Sequence, residues 1–165
     1  MIYETDTDMV AIWNGTAWRY ISATTPTNGT VLQMVYAFTA SQVATSSSTL
    51  IDTGLTATIT PKSTTSKILV CIQQSGLLKL TNDTYMLLNL YRGASNISTI
   101  LAQGGVTQNT TTIGFGGAGV MVLDEPATTS AVTYKTQFNS VNNNSVTAVQ
   151  HSGAMSTIVL MEVAA

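Results

Sequence analysis

Few residues in this chain have types and spacings that could do chemistry. Gly114, Gly116 and Gly119 fit the G-x-G-x-x-G spacing of a phosphate-cradling turn. That chemistry needs a strand before the glycines and a helix after them, whose N-terminus meets the pyrophosphate. Here a Thr run precedes them and Val120-Met121-Val122-Leu123 follows as a strand, so they read as close strand packing or a bulge. Glu4, Asp6 and Asp8 alternate, so an extended segment could turn them one way toward a hard cation such as Ca²⁺. The plainer reading is a solvated terminus. Asp124 and Glu125 are adjacent and would point apart on a strand; before Pro126 they read as a turn, not an acid/base pair. His151 has many Ser and Thr as nominal nucleophiles, but no nucleophile-elbow motif accompanies it, and a lone His at a strand end reads as surface or interface. Cys71 lies in a run that reads as buried, where a thiol packs as a small apolar group. No catalytic, cofactor-binding or metal-ligating residue is assigned, no cofactor is expected, and the chain reads as a non-enzyme.

Composition explains this scarcity. The chain has 165 residues, of which 44% are hydrophobic and only 8% charged, where soluble domains ordinarily carry about a quarter. Its 29 Thr, 15 Ser, 10 Asn and 8 Gln take over the solvating role. A single Cys excludes a disulfide framework, and with one His it excludes the usual four-ligand zinc sites. Six scattered Lys and Arg and a pI near 5.0 argue against phosphate neutralisation, so no nucleic-acid partner is expected. No run of eighteen apolar residues is present, so no membrane insertion is expected. The N-terminus has neither a basic region nor an apolar stretch, so synthesis and retention in the cytoplasm are expected until some later release. The sequons at Asn14, Asn28, Asn82, Asn96, Asn109 and Asn143 then read as compositional.

The elements that must position these residues are nearly all strands. Leu55, Ala57 and Ile59 alternate with Thr56, Thr58 and Thr60; Val132, Tyr134, Thr136 and Phe138 alternate with Thr133, Lys135, Gln137 and Asn139. That period of two marks strands with one buried and one wet face. Ile68 to Ile72 is apolar on both faces and reads as a strand covered on both sides; Tyr85 to Tyr91 and Thr157 to Val163 are similar. Turn signals such as Asp52-Thr53-Gly54, Arg92-Gly93 and Asn142-Asn143-Asn144 separate the runs. Short strands at this spacing predict an all-β, antiparallel jelly-roll sandwich.

Residues 1–21 read as a separate hairpin, 22–30 as a linker and 31–165 as the jelly roll. Asn14-Gly15 predicts a two-residue type I′ turn pairing Trp13 with Thr16, Ile12 with Ala17 and Ala11 with Trp18. One face then carries Met9, Ala11, Trp13, Trp18 and Tyr20, the other Val10, Ile12, Ala17, Arg19 and Ile21. A lone hairpin is marginal in water, and Trp is enriched among interface anchors. Trp13, Trp18, Tyr20, Ile12 and Val10 are the candidate docking residues.

The N-terminal stretch and six runs of the body also carry a resemblance. Tyr3-Glu4-Thr5-Asp6-Thr7-Asp8 followed by Ile12-Trp13-Asn14-Gly15-Thr16-Ala17-Trp18 resembles the short N-terminal element of many bacteriophage tail and fibre proteins. The runs Thr53–Pro61, Ser66–Val70, Leu90–Gly93, Leu123–Pro126, Ala131–Lys135 and Ser156–Val163 resemble jelly-roll domains of phage virion proteins. Their order is similar to trimeric jelly rolls of the complement globular-head and tumour-necrosis-factor class. The resemblance implies a surface-displayed homotrimer on the virion, assembled in the host cytoplasm: a short fibre, a tail-tip part or a capsid decoration such as a head fibre. Its partners would be capsid, tail or fibre-base proteins. The alternative is an adsorption protein that binds a host receptor or surface glycan.

Overall fold

Alternating apolar and hydroxyl residues become strands along most of the chain. The computed structural model describes residues 2–4, 9–22, 26–80, 84–107, 112–142 and 145–165, and in the N-terminal sheet it describes side chains for residues 12–18. The strands are β1 (Ile2–Glu4), β2 (Met9–Trp13), β3 (Trp18–Ser22), β4 (Val31–Thr39), β5 (Val43–Thr45), β6 (Ile51–Ile59), β7 (Lys67–Lys79), β8 (Thr84–Arg92), β9 (Ser95–Thr107), β10 (Ile113–Asp124), β11 (Val132–Ser140), β12 (Thr147–Val149) and β13 (Ser156–Val163). Every described pairing is antiparallel.

In the first large sheet β4 pairs with β13, β13 with β7, and β7 with β10. Further along β7, its end pairs with β12, and β12 pairs with β5. Thus β4/β5 and β12/β13 are each one long strand interrupted midway. The second sheet runs β6-β11-β8-β9. Counting each interrupted pair once, one sheet holds the first, eighth, third and sixth strands and the other the second, seventh, fourth and fifth. This is the double Greek-key order of a jelly roll, as the alternation predicts.

The interruption between β12 and β13 is a 3-10 turn at His151–Gly153, entered through Gln150 and continued through Ser152, both left-handed (φ 52° and 57°). Gly76 on β7 makes room for it: at φ +62°, a Cβ there would lie 2.5 Å from His151 N.

Two apolar clusters fill the sandwich. One gathers Leu55, Ile59, Ile68, Val70, Leu90, Tyr134, Ile158 and Leu160; the other gathers Leu77, Met86, Leu88, Phe138 and Val149. A buried polar chain links the sheets. Thr53 Oγ1 accepts from Leu55 N and lies 2.5 Å from Thr136 Oγ1; Thr136 Oγ1 donates to Gln74 Oε1 at 2.9 Å; Gln74 Nε2 donates to Ser156 Oγ at 3.1 Å. Since each hydroxyl carries one proton, Thr53 must donate to Thr136. The Ser156 hydroxyl, already accepting from Gln74 and Ser75 N, donates to the Gln150 side-chain oxygen at 3.0 Å. Every donor is thereby used in one direction along the chain.

The sequence expected β7 and β13 to be covered on both sides. Only one side is covered: Ile68, Val70, Ile72, Ile158 and Leu160 are buried, while Leu69, Cys71, Val159 and Met161 on the other side are only partly so. Cys71 is accordingly half-buried on an outward face rather than in the core.

Candidate functional site

The N-terminal strands form a sheet of their own, β1-β2-β3, hydrogen-bonded apart from the two large sheets. Its turn corrects the expected register: Trp13 pairs with Trp18, Ile12 with Arg19, Ala11 with Tyr20 and Val10 with Ile21. The cause is the Asn14 side chain, whose Oδ1 accepts from Thr16 N at 3.0 Å and Ala17 N at 2.9 Å. With Asn14 N donating to Ala17 O at 3.2 Å, it closes a four-residue loop instead of a two-residue turn. A shift of two residues preserves which side chains share a face, so Trp13 and Trp18 still stand together. Their ring centroids are 5.6 Å apart at 56°. Trp13 is 52% exposed, Trp18 44% and Ile12 38%. The side chains of Val10 and Tyr20 lie outside the described residues, as do Asp6 and Asp8. The third strand, β1, was not expected; it places Tyr3 opposite Val10.

The described carboxylates of the body are engaged in structure. Asp124 ends β10 instead of sitting in a turn: Arg92 Nη1 donates to its Oδ1 at 3.0 Å and Oδ2 at 2.8 Å, and Tyr134 OH donates to Oδ2 at 2.6 Å. Burial and the bond to Asp124 push the Tyr134 phenol well above its ordinary pKa, so it remains a donor. Glu125 points the other way, to Lys67 at 2.8 Å. Asp52 takes Lys135 Nζ at 2.8 Å and Gln137 Nε2 at 2.7 Å. Burial raises the Asp52 pKa, but these donors outweigh it and the net shift is downward. Glu162, fully buried, accepts from Gln33 Nε2 at 2.5 Å and Lys62 N at 2.7 Å. Burial raises its pKa, while Ser66, Gln33 and the Lys62 and Ser63 backbone lower it further, leaving it depressed. His151 is exposed, with Nδ1 3.1 Å from Gln42 Oε1. Gly114, Gly116 and Gly119 lie within β10, with register shifts around Gly116. Among the described residues no cluster of His, Cys, Asp or Glu could hold a metal ion, and no helix is long and apolar enough to cross a membrane.

The outward faces of the two large sheets differ sharply. On β4-β13-β7-β10 the cross-strand registers set three rows side by side: Phe38, Thr157, Gln73 and Gly119; Tyr36, Val159, Cys71 and Met121; Met34, Met161, Leu69 and Leu123. The second and third rows are apolar across the sheet apart from the Tyr36 hydroxyl, while the first carries Thr157 and Gln73. Tyr36 and Phe38 stack at 6.0 Å on its β4 side. Across the middle of the face Gly119, where a Cβ would lie 2.7 Å from Ile72 O, helps open a hollow of about 330 Å³ lined also by Cys71, Gln73, Met121, Thr157 and Val159. On β6-β11-β8-β9 the outward face is polar: Thr56, Lys135, Tyr91 and Asn96 form one row and Asp52, Gln137, Asn89 and Thr99 the next.

No protein-family profile matches the chain, and no curated protein is similar to it. Among solved structures, a D431N mutant VP2 protein of infectious bursal disease virus (derived T=1 particles) aligns over 96% of this chain at 13% identity and a TM-score of 0.41. The VP2 subviral particle of the same virus aligns over 96% at 12% identity and 0.40. The virus's Gt strain structure aligns over 99% at 12% identity and 0.37. This chain spans less than half of each of those chains, 42%, 43% and 46% respectively.

Proposed function

We propose that this chain is a bacteriophage virion structural protein: a trimeric jelly-roll component displayed on the particle as a short fibre, tail-tip part or capsid decoration, and held there through its N-terminal sheet. The observation that carries the reading is the separately hydrogen-bonded β1-β2-β3 sheet, whose hairpin presents Trp13 and Trp18 packed together and half-exposed. A ribbon this small buries too little to stand alone in water. Paired tryptophans at its tip are the kind of anchor that fills a pocket on another protein. The phage-like order of motifs along the sequence supports the same assignment. The reading is non-enzymatic, because Asp52, Asp124, Glu125 and Glu162 are each committed to partners that hold the fold. The test is particle incorporation of full-length chain carrying Trp13→Ser and Trp18→Ser. The folded double variant should be missing from purified particles; normal incorporation overturns the anchor.

A second reading, adsorption to a host glycan, is favoured by one observation. The outward face of β6-β11-β8-β9 sets Tyr91 between Lys135 and the exposed Asn96, with Gln137 in the next row. An aromatic platform with amides around it suits a sugar. A glycan array and a cell-adsorption assay test it, and silence in both removes it.

A further inference from the structure

We infer that the outward apolar face of the β4-β13-β7-β10 sheet is the surface through which copies of this chain hold one another. Its size is the first argument. Val31, Met34, Tyr36, Phe38, Met121 and Leu123 are each between 51% and 69% exposed. At about 200 Å² for a large side chain, these six alone offer on the order of 700 Å². The largest apolar patch on an ordinary monomer is about 300–600 Å², while a stable interface takes about 800 Å² from each partner. The half-buried Leu69, Cys71, Val159 and Met161 between them close the gap to that figure.

Charge selects the occupant. The three rows hold no charged side chain, and the nearest, Lys67 at the rim, is paired with Glu125. A face meeting its own copy meets its own charges, so a neutral face is what self-association requires, whereas it offers nothing to attract a charged partner. Shape agrees. The Tyr36–Phe38 ridge stands beside a hollow that runs from Thr157 and Val159 on β13 across to Gly119 on β10. The ridge of one copy therefore has a place to enter on the next. The inference deepens the proposed function by naming the face that would join the trimer, and takes from it only the number of copies.

The test is the mass of the native full-length chain in solution, by light scattering or sedimentation, beside Tyr36→Lys and Met121→Lys variants. Both positions are exposed in the single chain, so the variants should keep the native circular dichroism. The native chain should show three times the chain mass and the variants the mass of one. A native monomer overturns the inference, whether the face is free or filled by some other protein on the particle; so do folded variants of native mass. If a variant misfolds, Cys71 decides. It is the sole thiol and lies in the middle row. Maleimide labelling of the native chain should slow at least tenfold between dilute and concentrated protein, and a rate independent of concentration overturns the inference. A multimer that fails to join particles refutes the virion reading and leaves the face standing; a monomer that joins them does the reverse.

Discussion

Thr136 and Gln74 meet through the middle of the sandwich, one from each sheet, with the Thr136 hydroxyl donating to Gln74 Oε1 across 2.9 Å. Both are fully buried. Removing either leaves its neighbours without partners in a medium that cannot replace them. Thr136→Val should lower unfolding free energy by about 1–3 kcal/mol, and Gln74→Ala by at least as much because a cavity is added. Urea unfolding followed by circular dichroism measures both; values near zero for Thr136→Val would show that the hydroxyl chain does not stabilise the fold.

Gly76→Ala is expected to be among the most damaging single-methyl changes in the body. The residue is at φ +62° and its added Cβ would meet the His151 backbone at 2.5 Å. Strain and collision act together, and neither neighbour is the free end of a flexible side chain. The expected loss is about 2–4 kcal/mol. Gly93→Ala, also left-handed at φ +55° but with open space around it, should cost only the backbone term of about 1 kcal/mol. Thermal unfolding of the two variants separates collision from conformation.

The Arg92–Asp124–Tyr134 cluster should behave as a unit. Asp124→Asn keeps the shape but removes the charge that both Arg92 and Tyr134 face. Its cost and that of Tyr134→Phe should fall short of adding in the double variant, because one weakens and the other removes the same 2.6 Å bond. A double-mutant cycle that is strictly additive would break the cluster into independent contacts.

Acid should loosen the body from Glu162. Its folded pKa lies below the ordinary carboxylate value, so the folded state binds its proton less readily than the unfolded chain. The stability it contributes is full above the unfolded pKa and is lost as pH falls through the folded one. Stability against urea should decline as pH drops from about 5 toward 2. Glu162→Gln should be less stable at neutral pH and show a flatter decline over that window. An unchanged slope would assign the acid sensitivity elsewhere.

Much of this fold is written locally. Period-two alternation in β6 and β11 placed Leu55, Ala57, Ile59, Tyr134 and Phe138 inside correctly, because each strand has one dry side and one wet one. The same rule misread Leu69 and Cys71, which lie on an outward face. Apolar residues on both faces of a strand show that both are dry somewhere, without showing whether the cover is the same chain. The hairpin turn was legible as a turn but not in register, since Asn14 bonds two backbone N–H groups ahead and draws the loop out to four residues. The links from Gln74 to Thr136 and Ser156 span 62 and 82 positions and leave no local pattern. Nor did Asp124 announce Arg92; its place before Glu125 and Pro126 looked like a bend, and the strand pairing that made it a strand end comes from β7.

The ion pairs of the body have a consequence for crowding. Lys67, Arg92 and Lys135 are each matched inside one chain to Glu125, Asp124 and Asp52. Away from the apolar face of β4-β13-β7-β10, what remains on the outside is mostly hydroxyl and amide. Bodies packed shoulder to shoulder in a dense array would therefore raise almost no mutual repulsion, and their spacing would be indifferent to the salt around them. Away from that face, a surface this quiet neither draws copies together nor drives them apart.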